Sequence, residues 1–210
     1  MFKIVISDLD GTLVDSAGFY YRSSVNIFKT FGLQPPSFQT FRGEITGNIP
    51  GFFYRHGLSH SVAPEAIDKM ILSYVREHWR EYTIHPGART ALALCRGLNI
   101  PFFIVSHNLD DVIKKAIKKF ELGLFVTEAI SSGNKSESLF AIVRKYGVSP
   151  EDVLFMDDTA SGIRDGKNAG VATLGFLGGY ESKWKISRAR PDFKTASFQD
   201  VMKVIVRRRI

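Results

Sequence analysis

Two carboxylates stand two residues apart at the end of an apolar run, in Phe2-Lys3-Ile4-Val5-Ile6-Ser7-Asp8-Leu9-Asp10-Gly11. In an extended backbone, residues i and i+2 project from one face, so Asp8 and Asp10 start as neighbours. Gly11 permits a backbone path closed to other residues, and the chain can turn sharply beside the acids. Carboxylates held together beyond a buried strand repel each other and are poorly solvated, which calls for a cation or a proton. Further along, Ser106 follows the apolar run Pro101-Phe102-Phe103-Ile104-Val105, and Lys135 follows Ser131-Ser132-Gly133-Asn134. Asp157 and Asp158 follow Val153-Leu154-Phe155-Met156. Hard oxygen ligands suit Mg²⁺, which takes few carboxylates and keeps waters and substrate phosphate. A lysine and a hydroxyl suit the remaining phosphate oxygens. A free aspartate can attack phosphorus and form an acyl phosphate that water then opens. These residue types point to phosphoryl transfer.

The elements that must position them alternate. From His85-Pro86-Gly87 onward, helical stripes separate strand-like runs. A helix is expected over about 88–95, and Val112, Ile113, Ala116, Ile117 and Phe120 mark a second. A short strand is expected at Phe125-Val126. Leu139, Ile142, Val143 and Tyr146 then form a helical stripe closed by Gly147. A Gly-rich helix to Ala169-Gly170, a strand at Val171–Leu174 and a last helix over about 198–207 complete the series. This rhythm predicts an α/β fold with a doubly wound, mostly parallel sheet, and ligands bind such sheets at the carboxyl edge. Asp8/Asp10, Ser106, Lys135 and Asp157/Asp158 all fall at that edge.

Residues from about 17 to 82 read differently, as a helical insertion. Tyr20, Ser24, Ile27 and Phe31 recur at helical spacing before Gly32. A second stripe runs through Ile67, Met70, Ile71, Tyr74, Val75, His78, Trp79 and Tyr82, after Pro64 and Glu65. Between them lies an aromatic, glycine-punctuated segment from Phe41 through Thr46-Gly47 to Gly57, expected as short helices and loops. The expected division is a core of 1–15 and 84–210 with a helical domain of 16–83. Loop residues often set specificity, which makes Arg42, Glu44, Asn48 and Arg55 candidates for a substrate pocket.

At 210 residues with a hydrophobic fraction of 44%, the chain can bury a sizeable core, and it holds no apolar run long enough to cross a bilayer. The single Cys95 cannot form an internal disulfide, which fits a reducing cytoplasm; it reads as packing within a helix. A cleaved secretory signal of ~15–30 residues would take Asp8 and Asp10 with it. The net charge is +7, with the densest run at Arg207-Arg208-Arg209. No nucleic-acid motif accompanies that charge, so at most it steers a small anion. His56, His60, His78 and His85 lack metal-ligand spacing.

The opening Asp8-Leu9-Asp10-Gly11-Thr12-Leu13-Val14-Asp15-Ser16, taken with the later motifs in order, resembles the haloacid dehalogenase superfamily. The likeness is specifically to its phosphoglycolate-phosphatase-like and phosphoglucomutase-like branch, whose inserted helical cap matches 16–83. The resemblance implies Asp8 as nucleophile and metal ligand. It implies Asp10 as the acid, then base, whose backbone carbonyl also touches Mg²⁺. Ser106 matches the phosphate-binding hydroxyl, with Leu9, His107 and Asn108 as further phosphate-binding candidates. Lys135 matches the lysine that neutralises phosphate and positions the nucleophile. In Met156-Asp157-Asp158-Thr159-Ala160-Ser161-Gly162-Ile163, Asp158 aligns with the principal metal ligand. Asp157 stands at the usual glycine, and Gly162 stands where a second acid is common. Asp157 is expected to assist the metal; partnering the following helix N-terminus is its alternative role.

The implied activity is Mg²⁺-dependent hydrolysis of a small phosphate monoester through an aspartyl-phosphate, by a monomer or weak homodimer without nucleic-acid or membrane partners. A phosphomutase of the same branch and a non-catalytic phosphometabolite-binding protein are the alternatives. Halide removal does not fit, because dehalogenases of the family lack the second aspartate. A calcium loop fails too, since Thr12 and Leu13 occupy positions that need Asp or Asn and Gly.

Overall fold

The computed structural model describes residues 1–45 and 48–207; Thr46-Gly47 of the aromatic segment and Arg208-Arg209 of the basic run lie outside the described residues. The chain opens with β1 (Ile4–Ser7) and β2 (Val14–Asp15), followed by helices α1 (Ala17–Thr30), α2 (Phe38–Glu44), α3 (Ile49–Arg55) and α4 (Pro64–His78). Next come β3 (Thr83–Ile84), α5 (Ala88–Gly97), β4 (Phe102–Ser106), α6 (Asp110–Lys119), β5 (Glu128–Ser131) and α7 (Lys135–Tyr146). The chain ends with β6 (Val153–Asp157), α8 (Ala160–Asn168), β7 (Ala172–Phe176), α9 (Lys183–Arg188), β8 (Phe193–Thr195) and α10 (Phe198–Val206).

Six strands form one parallel sheet in the order β5-β4-β1-β6-β7-β8. Strand residues point alternately to its two faces, and the apolar clusters follow that period. Val5, Phe102, Ile104, Leu154 and Met156 meet helices α5, α6 and α10 on one face. Ile4, Ile6, Phe103, Val105, Val153 and Phe155 meet α7 on the other. Burial on both faces explains why these strands read as continuous apolar runs. The doubly wound sheet expected from the helix–strand rhythm is present. Its central strand β1 lies between β4 and β6, where the strand order reverses and a crevice opens at the carboxyl ends. The Asp8 amide still donates to the Met156 carbonyl at 2.9 Å, so sheet pairing holds the first residue beyond β1.

The helices α1–α4 bury a cluster of their own, built on Ile27, Phe28, Phe41, Phe52, Phe53 and Ile67. The chain enters and leaves this helical region through a two-stranded antiparallel ribbon, with Val14 opposite Ile84 and Asp15 opposite Thr83.

The structure departs from the sequence reading in several places. Phe125-Val126 is a turn whose amides both return to the Leu122 carbonyl, and the strand is the polar Glu128–Ser131. That strand lies at the sheet edge, where one side meets solvent and an apolar run is not required. The α4 stripe ends at His78; Trp79–Glu81 form a 3-10 turn, and Tyr82 continues in extended backbone. In α1 the buried aromatic near the C-terminus is Phe28, while Phe31 caps the helix and is exposed. β8 and α9 carried no legible signal. Phe155, fully buried in β6, should cost about 3–5 kcal/mol when changed to Ala, because a central strand cannot collapse around the void. Phe140→Ala on the exposed side of α7 should stay within ~0.5 kcal/mol, with urea unfolding separating the two.

Candidate active site

Lys135 is the first residue of α7, whose N-terminus is capped by the Asn134 side chain accepting from the Glu137 amide. Its ammonium runs beneath the carboxyl edge of the sheet and reaches Asp8 Oδ1 at 2.9 Å and Asp157 Oδ2 at 2.7 Å. Asp157 closes β6, and its Oδ1 accepts from the Thr159 amide at 2.8 Å and hydroxyl at 2.7 Å. The neighbouring Asp158 accepts from the Tyr180 amide at 2.6 Å on Oδ2 and from the Thr12 hydroxyl at 3.2 Å on Oδ1. Asp8, Asp157 and Asp158 are all buried, each with a carboxylate oxygen within 4.8 Å of the others.

Asp8 and Asp157 therefore share one ammonium out of solvent, with Asp158 close beside them. Burial pushes the Asp8 carboxyl up; Lys135 opposes that rise and the Asp157 charge adds to it. Burial, then the Asp157 and Asp8 charges, hold Asp158 well above the usual carboxylate range. Burial works against the charge on Lys135, yet the Asp157 and Asp8 carboxylates outweigh it and raise its pKa. Buried oxygen donors with this excess of negative charge fit a hard divalent cation.

Asp10 is placed differently. Asn108 Nδ2 donates to its Oδ2, whereas its Oδ1 is buried without a partner. Burial brings this carboxyl up to about 7; the Asp8 charge adds to the rise, while Ser16 and Asn108 oppose it. A carboxyl so poised can hold a proton near neutral pH and give it up on demand. Ser106 closes β4, and its Oγ accepts from the Asn108 amide at 3.2 Å. His107 Nδ1 lies 2.7 Å from the Ser132 carbonyl, so its ring is held by the loop that leads to Lys135. The Leu9 amide favours the charged form of Asp8.

The sequence reading missed the segment after β7. Gly178-Gly179 bring Tyr180 and Glu181 back over the site, and a Cβ on Gly179 would overlap the Asp158 carboxylate. Gly11, with φ +79°, faces Asp158 from the other side equally closely. The Tyr180 hydroxyl lies 3.0 Å from Ser16 Oγ, and the Glu181 carboxylate accepts from the Ala160 amide at the start of α8. A glycine pair directly after a strand was the available signal.

Above these groups a cavity of about 490 Å³ separates the sheet edge from the helices; Asp8, Asp10, Ser106, His107, Asn108 and Lys135 line its floor. The four expected specificity residues are engaged elsewhere. Arg42 donates to the Leu177 and Glu181 carbonyls, Glu44 pairs with Arg55 and His56, and Asn48 caps α3. None of the four is among the lining residues.

Residues 5–176 match the family model described as haloacid dehalogenase-like hydrolase. The chain belongs to that family of hydrolases. A phosphoglycolate phosphatase of Aquifex aeolicus is 25% identical over 97% of this chain and 96% of its own length. One from Pseudomonas syringae pv. tomato is 24% identical over 90% of this chain and 74% of its own. The fold of a haloacid dehalogenase-like family protein from Streptococcus pneumoniae superposes with a TM-score of 0.83 at 21% identity, covering 97% and 98% of the two chains.

Against the family pattern, the paired change at 157 and 162 has a spatial explanation. A Cβ on Gly162 would fall inside the Asp157 carboxylate. The acid at 157 thus fills the space that a side chain at 162 would need, and Gly162 is the residue that leaves it free. Gly162→Ala should destabilise by about 1–3 kcal/mol in urea unfolding. In an Asp157→Gly background it should cost nothing or stabilise, since Ala is the better helix former. Equal costs in the two backgrounds would contradict the exchange.

Proposed function

We propose that the protein is a Mg²⁺-dependent phosphatase of small phosphate monoesters, working through an aspartyl-phosphate on Asp8. The observation that supports this most is the division of the opening carboxylates. Asp8 is bound to an ammonium, while Asp10 lies two residues away with a free buried oxygen and a pKa near neutrality. One is set up as a nucleophile and the other as a proton donor.

In this reading the monoester's phosphate sits between Asp8, Ser106, Lys135 and the amides of Leu9 and Asn108. An Asp8 oxygen attacks phosphorus, and the departing alkoxide takes the proton of Asp10. Asp10, now a carboxylate, removes a proton from water. That water attacks phosphorus, releasing inorganic phosphate and restoring Asp8. Lys135 favours the charged form of Asp8 and orients it, which is the positioning such transfers mainly need. Asp8, Asp157 and Asp158, with the Asp10 backbone carbonyl, would hold Mg²⁺; when bound, it supplies positive charge against the phosphate oxygens. The helices α1–α4 would act as the cap that excludes bulk water during the first transfer.

Asp8→Asn keeps the side chain's size and removes its nucleophilic charge. Phosphate release from a panel of monoesters in Mg²⁺ should fall at least about a thousand-fold, with the unfolding transition preserved. Undiminished Mg²⁺-dependent release by this variant would exclude Asp8 as the nucleophile.

A further inference from the structure

The two sides of the cavity differ in chemistry. Its floor carries all the ionisable groups named above, and its opposite wall is built by Tyr20, Phe41, Ile45, Ile49, Ile71 and Tyr180. The Ser24 and Tyr180 hydroxyls on that side are already bonded within the protein. The Ser24 hydroxyl donates to the Tyr20 carbonyl at 3.0 Å, and the Tyr180 hydroxyl is shared with Ser16. Among the described lining residues Lys135 is the sole Lys or Arg, and its ammonium is held between Asp8 and Asp157 on the floor. Three arginines of the helical region are bonded to groups outside the cavity lining. Arg22 pairs with Glu81, Arg42 with the Leu177 and Glu181 carbonyls, and Arg55 with Glu44.

A carboxylate on the leaving group would enter this space without a cation to receive it. An anion moved from water to an apolar wall loses its solvation and gains nothing in exchange. An aromatic or branched aliphatic group gains from the same wall by leaving water, and stacking on the half-buried Tyr20 adds to that gain. The size agrees. About 490 Å³ lies within the ~300–1,000 Å³ typical of pockets for drug-sized ligands, and a two-carbon acid would leave most of it empty.

We infer that the enzyme takes phosphate monoesters of uncharged, largely apolar alcohols and discriminates against esters whose leaving group carries a carboxylate, phosphoglycolate included. The inference rests on the phosphatase reading and narrows its substrate class. It also separates this chain from what the names of its relatives in Aquifex aeolicus and Pseudomonas syringae say of those proteins.

Benzyl phosphate and para-carboxybenzyl phosphate test it. Their reacting centres are alike and their leaving alcohols of similar reactivity, so a difference between them reports the wall rather than the chemistry. With Mg²⁺ present, kcat/KM for benzyl phosphate should exceed that for the carboxylated ester and for phosphoglycolate by at least about tenfold, mostly through KM. Ile49, at 41% exposure on the rim of the wall, accepts a longer side chain without disturbing the core. Ile49→Arg should narrow the gap between the two benzyl esters by supplying the missing cation. Equal values for the two esters, or a preference for phosphoglycolate, would overturn the apolar assignment and leave the phosphatase reading standing. Release from none of the three esters would overturn both.

Discussion

A single ammonium, Lys135 Nζ, lies between Asp8 and Asp157 at the carboxyl edge of the sheet, with Asp158 alongside. Without that charge, three acids would converge out of water with only neutral donors such as Thr159, Tyr180 and Thr12 to offset their repulsion. With it, the charged form of Asp8 is favoured, and the residual negative charge would suit a divalent cation. Much of the local structure serves this arrangement. The parallel strands β1 and β6 bring their acids side by side, α7 begins at the lysine itself, and Thr159 anchors the far oxygen of Asp157. Gly11 and Gly179 lack the Cβ atoms that would otherwise occupy the space of the Asp158 carboxylate.

The molecule divides its labour between stiff and adaptable parts. Asp8, Ser106 and Asp157 sit at or next to strand ends held by sheet pairing, where small displacements are resisted by neighbouring strands. The wall facing them comes mainly from helices with a separate aromatic cluster, joined to the sheet by a two-stranded ribbon. Substitutions on that wall can change what fits the cavity without moving Asp8 or Lys135. Asp10 lines the cavity between the two parts.

Most of the sheet was legible because its strands are buried on both faces and therefore apolar throughout, as in Phe102–Val105 and Val153–Met156. The candidate site was legible because Asp8, Ser106 and Asp157/Asp158 all follow such runs. The edge strand Glu128–Ser131 was not, since half-exposed positions carry no apolar signature and the nearby Phe125-Val126 does. The pocket wall was also illegible. Tyr20, Ile49 and Ile71 look like ordinary helix residues in one dimension, whereas the charged residues Arg42, Glu44 and Arg55 drew attention and proved to be partnered elsewhere. Tyr180 and Glu181 reach the site only because a glycine pair lets the backbone return over it. That is a matter of three-dimensional path rather than of residue type. The departure at 157 and 162 was visible as two separate oddities, and only the shared volume explains them together.

Lys135 is the charge on which the buried acids depend. The most direct test is the metal-free unfolding free energy of Lys135→Met, alone and combined with Asp157→Asn. Removing one partner of a buried ionic cluster strands the others, so Lys135→Met should lose about 3–5 kcal/mol. Neutralising Asp157 in the same chain should recover part of that loss, because one fewer unpaired charge is left behind. A Lys135→Met protein within ~0.5 kcal/mol of the parent, or one made worse by Asp157→Asn, would contradict the account.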